Sequence, residues 1–261
     1  MELKLPALRL PWMSRADRRT WRAARTVTDL GELMARWLEG DIKSRPGYQA
    51  HWGPDPETGP LVPTLAALCR AGYITTGSQP GLTGLGANGG WWEQHAWADL
   101  VVTDRALLDR LVATVTDGGM LVRVHDHHRG VPAASAEPPV VATTCDGEPR
   151  MEVGARTRAI DMPRLWPGLH RDLHEEITHG WYVSVVAPTA GSGGDRLLWD
   201  LLDEVSSGRE PDEPDWWTYE PEPGECRLCG APIHHPGPHC GPACQAADQD
   251  DPSPEPRTAV S

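Results

Sequence analysis

Residues 63–80 read Pro63-Thr-Leu-Ala-Ala-Leu-Cys-Arg-Ala-Gly-Tyr-Ile-Thr-Thr-Gly-Ser-Gln-Pro80. Leu65, Leu68 and Cys69 fall on one face at helical spacing, Pro63 suits a first turn, and Gly72 stops the run. Tyr73–Thr76 then reads as a short strand. Thr75, Thr76, Ser78 and Gln79 crowd its exit, where hydroxyls and a carboxamide can hydrogen-bond a small polar ligand. A capped turn uses the same residue types.

Working outward, both kinds of element recur. Upstream, Thr28 is placed to cap a helix in which Leu30, Leu33, Met34, Trp37 and Leu38 recur at i, i+3, i+4, i+7 and i+8, with Gly40 after it. Downstream, a loop with five Gly lies between 81 and 90. Residues 91–102 read as a strand carrying Trp91 and Trp97, with a helix as the alternative, and Thr103 caps a helix with Leu107, Leu108, Leu111, Val112 and Val115 on one face. Met120–Val124, Val140–Thr144 and Trp181–Ala187 read as strands, and Asp195–Val205 as a helix. There is no internal repeat and no regular βαβ rhythm. The expected class is α+β (mixed α/β), a single domain with a small metal module appended.

The chain has 261 residues, 39% of them hydrophobic, and a net charge of −13. Residues 206–261 carry eleven acids against Arg209, Arg227 and Arg257, a net of −8, which leaves −5 for residues 1–205. An acidic balance argues against nucleic acid and anionic membrane as partners. No run of 18 apolar residues exists, and the N-terminus lacks a secretory signal pattern. The expected organisation is a basic arm over 1–19, a ligand-binding domain over 20–205, an acidic Pro-rich linker over 206–225, a zinc module over 226–244 and a disordered tail over 245–261.

The metal module rests on Cys226, Cys229, Cys240 and Cys244. Two short Cys pairs each clamp one edge of a zinc tetrahedron, and so small a module needs the metal to fold. His234, His235 and His239 lie close enough to replace one Cys. Short zinc tails of this pattern are often protein-interaction modules. Reduced Cys ligands point to a cytoplasmic setting. Other metal patterns are weaker. His174 and His179 stand at i and i+5, about 140° apart on a helix, rather than sharing a face. His125-Asp-His-His128 reads as a polar turn. Thr189–Gly194 lacks the Gly-Lys-Ser/Thr ending of a phosphate loop and reads as a flexible strand–helix connection.

Over roughly 20–205 the order of motifs resembles the C-terminal regulatory domain of eukaryotic methylenetetrahydrofolate reductase, which binds S-adenosylmethionine. The residues concerned are Trp21, Trp37-Leu-Glu-Gly40, Glu57-Thr58, Arg70–Pro80, Gly89–Trp97, Trp181–Ala187 and Leu198–Glu204. The resemblance implies ligand contacts by Glu57, Thr58, Thr75 and Ser78, whose spacing transfers without a gap. It also implies Thr144 and Thr157, where Thr143 is an alternative to Thr144. Departures include Gly77 where the family has Asn, His95 where it has Lys, and the lack of the catalytic flavin barrel, so reductase activity is not implied. One carboxylate and several hydroxyls suit the ammonium, sulfonium and ribose of such a ligand. The expected function is a cytoplasmic protein binding S-adenosylmethionine or S-adenosylhomocysteine, with no catalytic residue assigned and a protein partner for the zinc tail. Two other readings stay open: an interaction protein with a vestigial pocket, and an enzyme acting on a nucleoside-containing metabolite.

Overall fold

A computed structural model of the chain describes residues 12–126, 138–155, 157 and 161–208. Cys226, Cys229, Cys240 and Cys244, with the expected tail and the expected linker beyond Gly208, lie outside the described residues, as do His127 and His128; Ser206 and Ser207, expected to open the linker, are the last turn of the C-terminal helix.

The organising element is β3 (Trp91–Val102), twelve residues long, which is enough to serve two sets of partners. On one side its C-terminal part pairs with β1 (Ile74–Gln79) and its N-terminal part with β2 (Leu82–Leu85). On the other side the same two parts pair with β7 (Trp181–Ala190) and β5 (Val140–Cys145). β4 (Leu121–Asp126) extends the sheet beyond β7, and β6 (Glu148–Val153) extends it beyond β5. Every pairing among the described residues is antiparallel, and the hairpins β2–β3 and β5–β6 are closed by short connections. β2 was expected to be part of a glycine-rich loop. Its outward Leu82 and Leu85 are exposed, so burial gave no strand pattern to read.

The helices bury their apolar stripes against one another and the sheet. In α2 (Val27–Leu38), Leu30, Met34 and Ala35 are fully buried. Its cap is Thr26, not Thr28: the Thr26 hydroxyl accepts from Asp29 N–H, and the Asp29 carboxylate accepts from Thr26 N–H. The reciprocal pair outcompetes Thr28 because only residue 26 has an acid three positions on. A 3-10 helix (Pro56–Leu61) leads into α3 (Val62–Arg70), which packs on α2 and on α7 (Ser192–Ser207). α2 and α3 approach closely at Gly31, where an added Cβ would stand 2.1 Å from the Cys69 carbonyl oxygen. α4 (Arg105–Asp117) is capped by Asp104, whose carboxylate accepts from the amides of Ala106 and Leu107, rather than by Thr103.

Helix α1 (Arg15–Ala23) begins inside the stretch expected as a basic arm, and Trp21 anchors it, fully buried with its indole N–H donated to the Ser44 carbonyl. The connection after β7 is the single residue Gly191, because the strand runs on to Ala190 and α7 starts at Ser192. The turn α5 (Met162–Leu165) and helix α6 (Arg171–Thr178) close the structure beneath α2, where Trp166 donates to Met34 Sδ. Within α6, His174 Nε2 lies 2.7 Å from the Trp166 carbonyl oxygen, and His179 is the C-terminal cap.

Candidate functional site

Among the described residues β1 is an edge strand, paired with β3 alone. Its register slips between Thr75 and Gly77, so Thr76 is an inserted bulge residue. The bulge turns consecutive side chains to different environments. Thr76 donates to the Asp99 carbonyl and contacts the Tyr182 hydroxyl across the sheet. Thr75 is buried, its hydroxyl 3.2 Å from Cys69 Sγ. Ser78 is left facing outward from the strand.

Beside this edge lies a cleft of about 170 Å³. Its walls come from Trp37 of α2, from Arg45, Tyr48 and Asp55 in the long connection after α2, from Thr58 of the 3-10 helix, from Thr75 to Ser78, and from Trp97 of β3. Three sequence-predicted ligand residues, Thr58, Thr75 and Ser78, thus meet in one place. α3 carries the chain away from Thr58 and the strand brings it back, so the two ends of that excursion converge.

The other predicted contacts lie elsewhere. Glu57 is exposed and lines a neighbouring hollow under the β2–β3 hairpin, because successive residues of a 3-10 helix point about 120° apart. Thr144 contacts Glu93 on the adjoining strand, at 3.3 Å. Thr157 is partly buried and does not line the cleft. The alternative, Thr143, is buried and accepts from the Gln79 carboxamide, which also donates to the His95 carbonyl. Gln79 and Thr143 are therefore structural, clamping β1 and β5 across β3.

Sequence reasoning missed the residues that give the cleft its charge. The Arg45 guanidinium lies 4.8 Å from the centre of the Trp37 ring and 5.1 Å from that of Tyr48, two rings set edge to face at 73°. Burial lowers its pKa from the ordinary value, with Tyr48 and Cys69 acting in the opposite direction. Its Nε is buried without a hydrogen-bond partner, and so is the indole nitrogen of Trp97. A buried donor left unmade costs about 1–3 kcal/mol. No periodicity marks Arg45, which sits in the irregular stretch Ser44-Arg-Pro-Gly-Tyr48. At Gly77 an added Cβ would stand 3.0 Å from the Trp97 ring, so any larger side chain requires that ring to shift.

A second polar cluster lies behind the bulge. Asp99 accepts from Ser184 at 2.5 Å and from Tyr182 at 2.9 Å. Burial raises the Asp99 carboxyl above its ordinary pKa despite these bonds, and burial with the nearby Asp99 raises Tyr182. The cluster ties β1, β3 and β7 together behind the cleft.

Among the described residues no three His, Cys, Asp or Glu side chains converge on a point that could hold a metal. No helix among them is long and apolar enough to cross a membrane.

The fold and site define an α+β domain with one charged, aromatic-walled cleft at a sheet edge. The chain belongs to the family described as a domain of unknown function, DUF6919, whose model matches residues 16–207. That span opens with α1 and closes with the last residue of α7. No curated protein matches the chain.

Proposed function

We propose that the cleft binds a small molecule of the S-adenosylmethionine or S-adenosylhomocysteine class, and that the chain is a binding protein with no catalytic residue of its own. The observation that carries this reading is the meeting of Thr58 of the 3-10 helix with Thr75 and Ser78 of the edge strand in one cleft. Hydroxyls at such a site serve the polar groups of such a ligand, and Trp37 and Trp97 supply flat apolar walls.

The cleft alone is small beside the roughly 300–1,000 Å³ typical of ligand pockets. Arg45 and Tyr48 also line a second hollow of about 420 Å³, which reaches Trp12 and Trp21. A nucleoside-sized ligand extends past those two side chains into this space. Glu57 faces the hairpin hollow instead, so its loss matters only for a ligand long enough to reach there.

Titration calorimetry of the full chain with S-adenosylmethionine and S-adenosylhomocysteine tests the reading. Binding tighter than about 1 mM is expected, and Thr75→Val is expected to weaken it about two- to tenfold, the worth of one hydrogen bond. No heat with either ligand refutes the reading. The small volume of the closed cleft would then favour a vestigial pocket in an interaction protein. Analysis of the incubated ligand for a changed product tests the nucleoside-enzyme alternative in the same samples.

We further propose that Cys226, Cys229, Cys240 and Cys244 hold one structural zinc in a tail that contacts a protein partner, in a cytoplasmic setting. Their paired spacing supports this.

A further inference from the structure

We infer that the cleft receives a zwitterionic amino-acid headgroup, with Arg45 taking its carboxylate and Asp55 its cationic group. The inference rests on the ligand-binding reading above and adds which part of the ligand enters here.

The Arg45 guanidinium carbon lies 4.8 Å from the centre of the Trp37 ring and 5.1 Å from that of Tyr48, and aromatic rings at that range stabilise the charge without supplying a carboxylate-like acceptor for its N–H groups. Nε–H is buried and has no acceptor. Among the described residues, no carboxylate forms an ion pair with Arg45. Acids are not scarce: the chain carries 37 of them against 24 Lys and Arg. Arg70, out on the surface, has two, Glu32 and Glu39. Arg45, whose Nε is buried, has no such partner.

Asp55 is the complement. It occupies the N-cap position of the 3-10 helix, yet its side chain caps nothing. It lines the same cleft as Arg45 without pairing with it. One unpaired cation and one unpaired carboxylate in a single cleft match a group that carries both charges. A planar carboxylate meets the Nε edge of a guanidinium through two parallel hydrogen bonds. A dianionic phosphate would gain the arginine but face Asp55, which opposes it. Trp97 Nε1–H, also without an acceptor, adds a neutral donor for the same oxygens or for the attached base.

The test compares two ligands on the full chain by calorimetry. S-adenosylhomocysteine carries the amino-acid headgroup; methylthioadenosine is the same nucleoside thioether without it. S-adenosylhomocysteine is expected to bind about ten- to a hundredfold tighter, the worth of a charge-assisted pair. Arg45→Met is expected to abolish that preference, bringing the two ligands to similar affinity. Arg45→Lys, which keeps the charge but lacks the planar edge, is expected to lose most of it. Asp55→Asn is expected to weaken S-adenosylhomocysteine and not methylthioadenosine. Equal binding of the two ligands by the wild type overturns the inference while the ligand class stands, whether or not the variants fold. A preference that survives Arg45→Met overturns it too. If neither nucleoside binds but free methionine does, in an Arg45-dependent way, the headgroup site stands and the nucleoside reading falls. Binding of none of the three overturns both.

Discussion

Gly31→Ala sets helix propensity directly against packing. Alanine is better than glycine in a helix interior by about 1 kcal/mol, so on local grounds the change should stabilise α2. The Cβ, however, would stand 2.1 Å from the Cys69 carbonyl oxygen, 3.0 Å from its carbon and 3.3 Å from Ile74 Cδ1. An ordinary C···O contact is about 3.3 Å, so a gap of roughly 1.2 Å has to open. The nearest atom is backbone, near the C-terminal end of α3, and cannot turn aside as a side chain would. α2 and α3 must separate through Leu30, Met34, Leu65 and Leu68, all buried. Overpacking of this kind costs about 1–3 kcal/mol, and a backbone clash sits at the upper end. The net expectation is a loss of about 2 kcal/mol, or a fall of roughly 4–8 °C in Tm for a domain of this size. Gly193→Ala in α7 is the control, because an added Cβ there meets nothing within 4 Å. It is expected to be neutral or slightly stabilising. Urea denaturation and calorimetry of both variants give the comparison. If Gly31→Ala matches or exceeds the wild type in stability, the close approach of α2 and α3 does not govern this position.

Asp99 gives a pH prediction. Its folded-state pKa is raised by burial, so its contribution to stability is full below the unfolded value, near 3.8, and is lost as pH rises through the folded one. Asp99→Asn has no charge to bury and should therefore gain on the wild type between acid and neutral pH; denaturant midpoints that keep a constant difference over that range refute it. Gly77→Asn should displace the Trp97 ring and weaken binding in the cleft more than it lowers Tm, which paired calorimetry and thermal melts would read. Arg70→Ala removes contacts to Glu32 and Glu39 in exposed positions and should cost no more than about 1 kcal/mol in urea denaturation. Purified full-length protein should carry about one zinc, lost in Cys229→Ser while the 16–207 domain keeps its melting transition; metal analysis finding none removes the zinc assignment.

Much of the fold was legible because its helices and inner strands are half-buried in regular ways. The i, i+3, i+4 spacing of Leu30 to Leu38 and the apolar run of Trp181 to Ala187 announced α2 and β7, and Gly72 announced the helix-to-strand turn. Caps were harder, since Thr26 and Thr28 differ only in what lies three residues on, and Thr103 and Asp104 are adjacent candidates for one role. β2 and β6 were illegible because exposed edge strands carry no burial pattern. The placement of Thr58, Thr75 and Ser78 along one cleft was foreseeable from the length of the helix between them. Glu57 was not separable from Thr58 in sequence, because which of two neighbours faces inward depends on the phase of a 3-10 helix. The charge of the site was decided by tertiary structure alone. Nothing local tells Arg45 in an irregular connection from Arg70 on a helix. Packing places Arg45 over Trp37 and Tyr48 with no acid paired to it, whereas it gives Arg70 two acids, because side chains distant in sequence become neighbours only when the helices and the sheet edge are assembled.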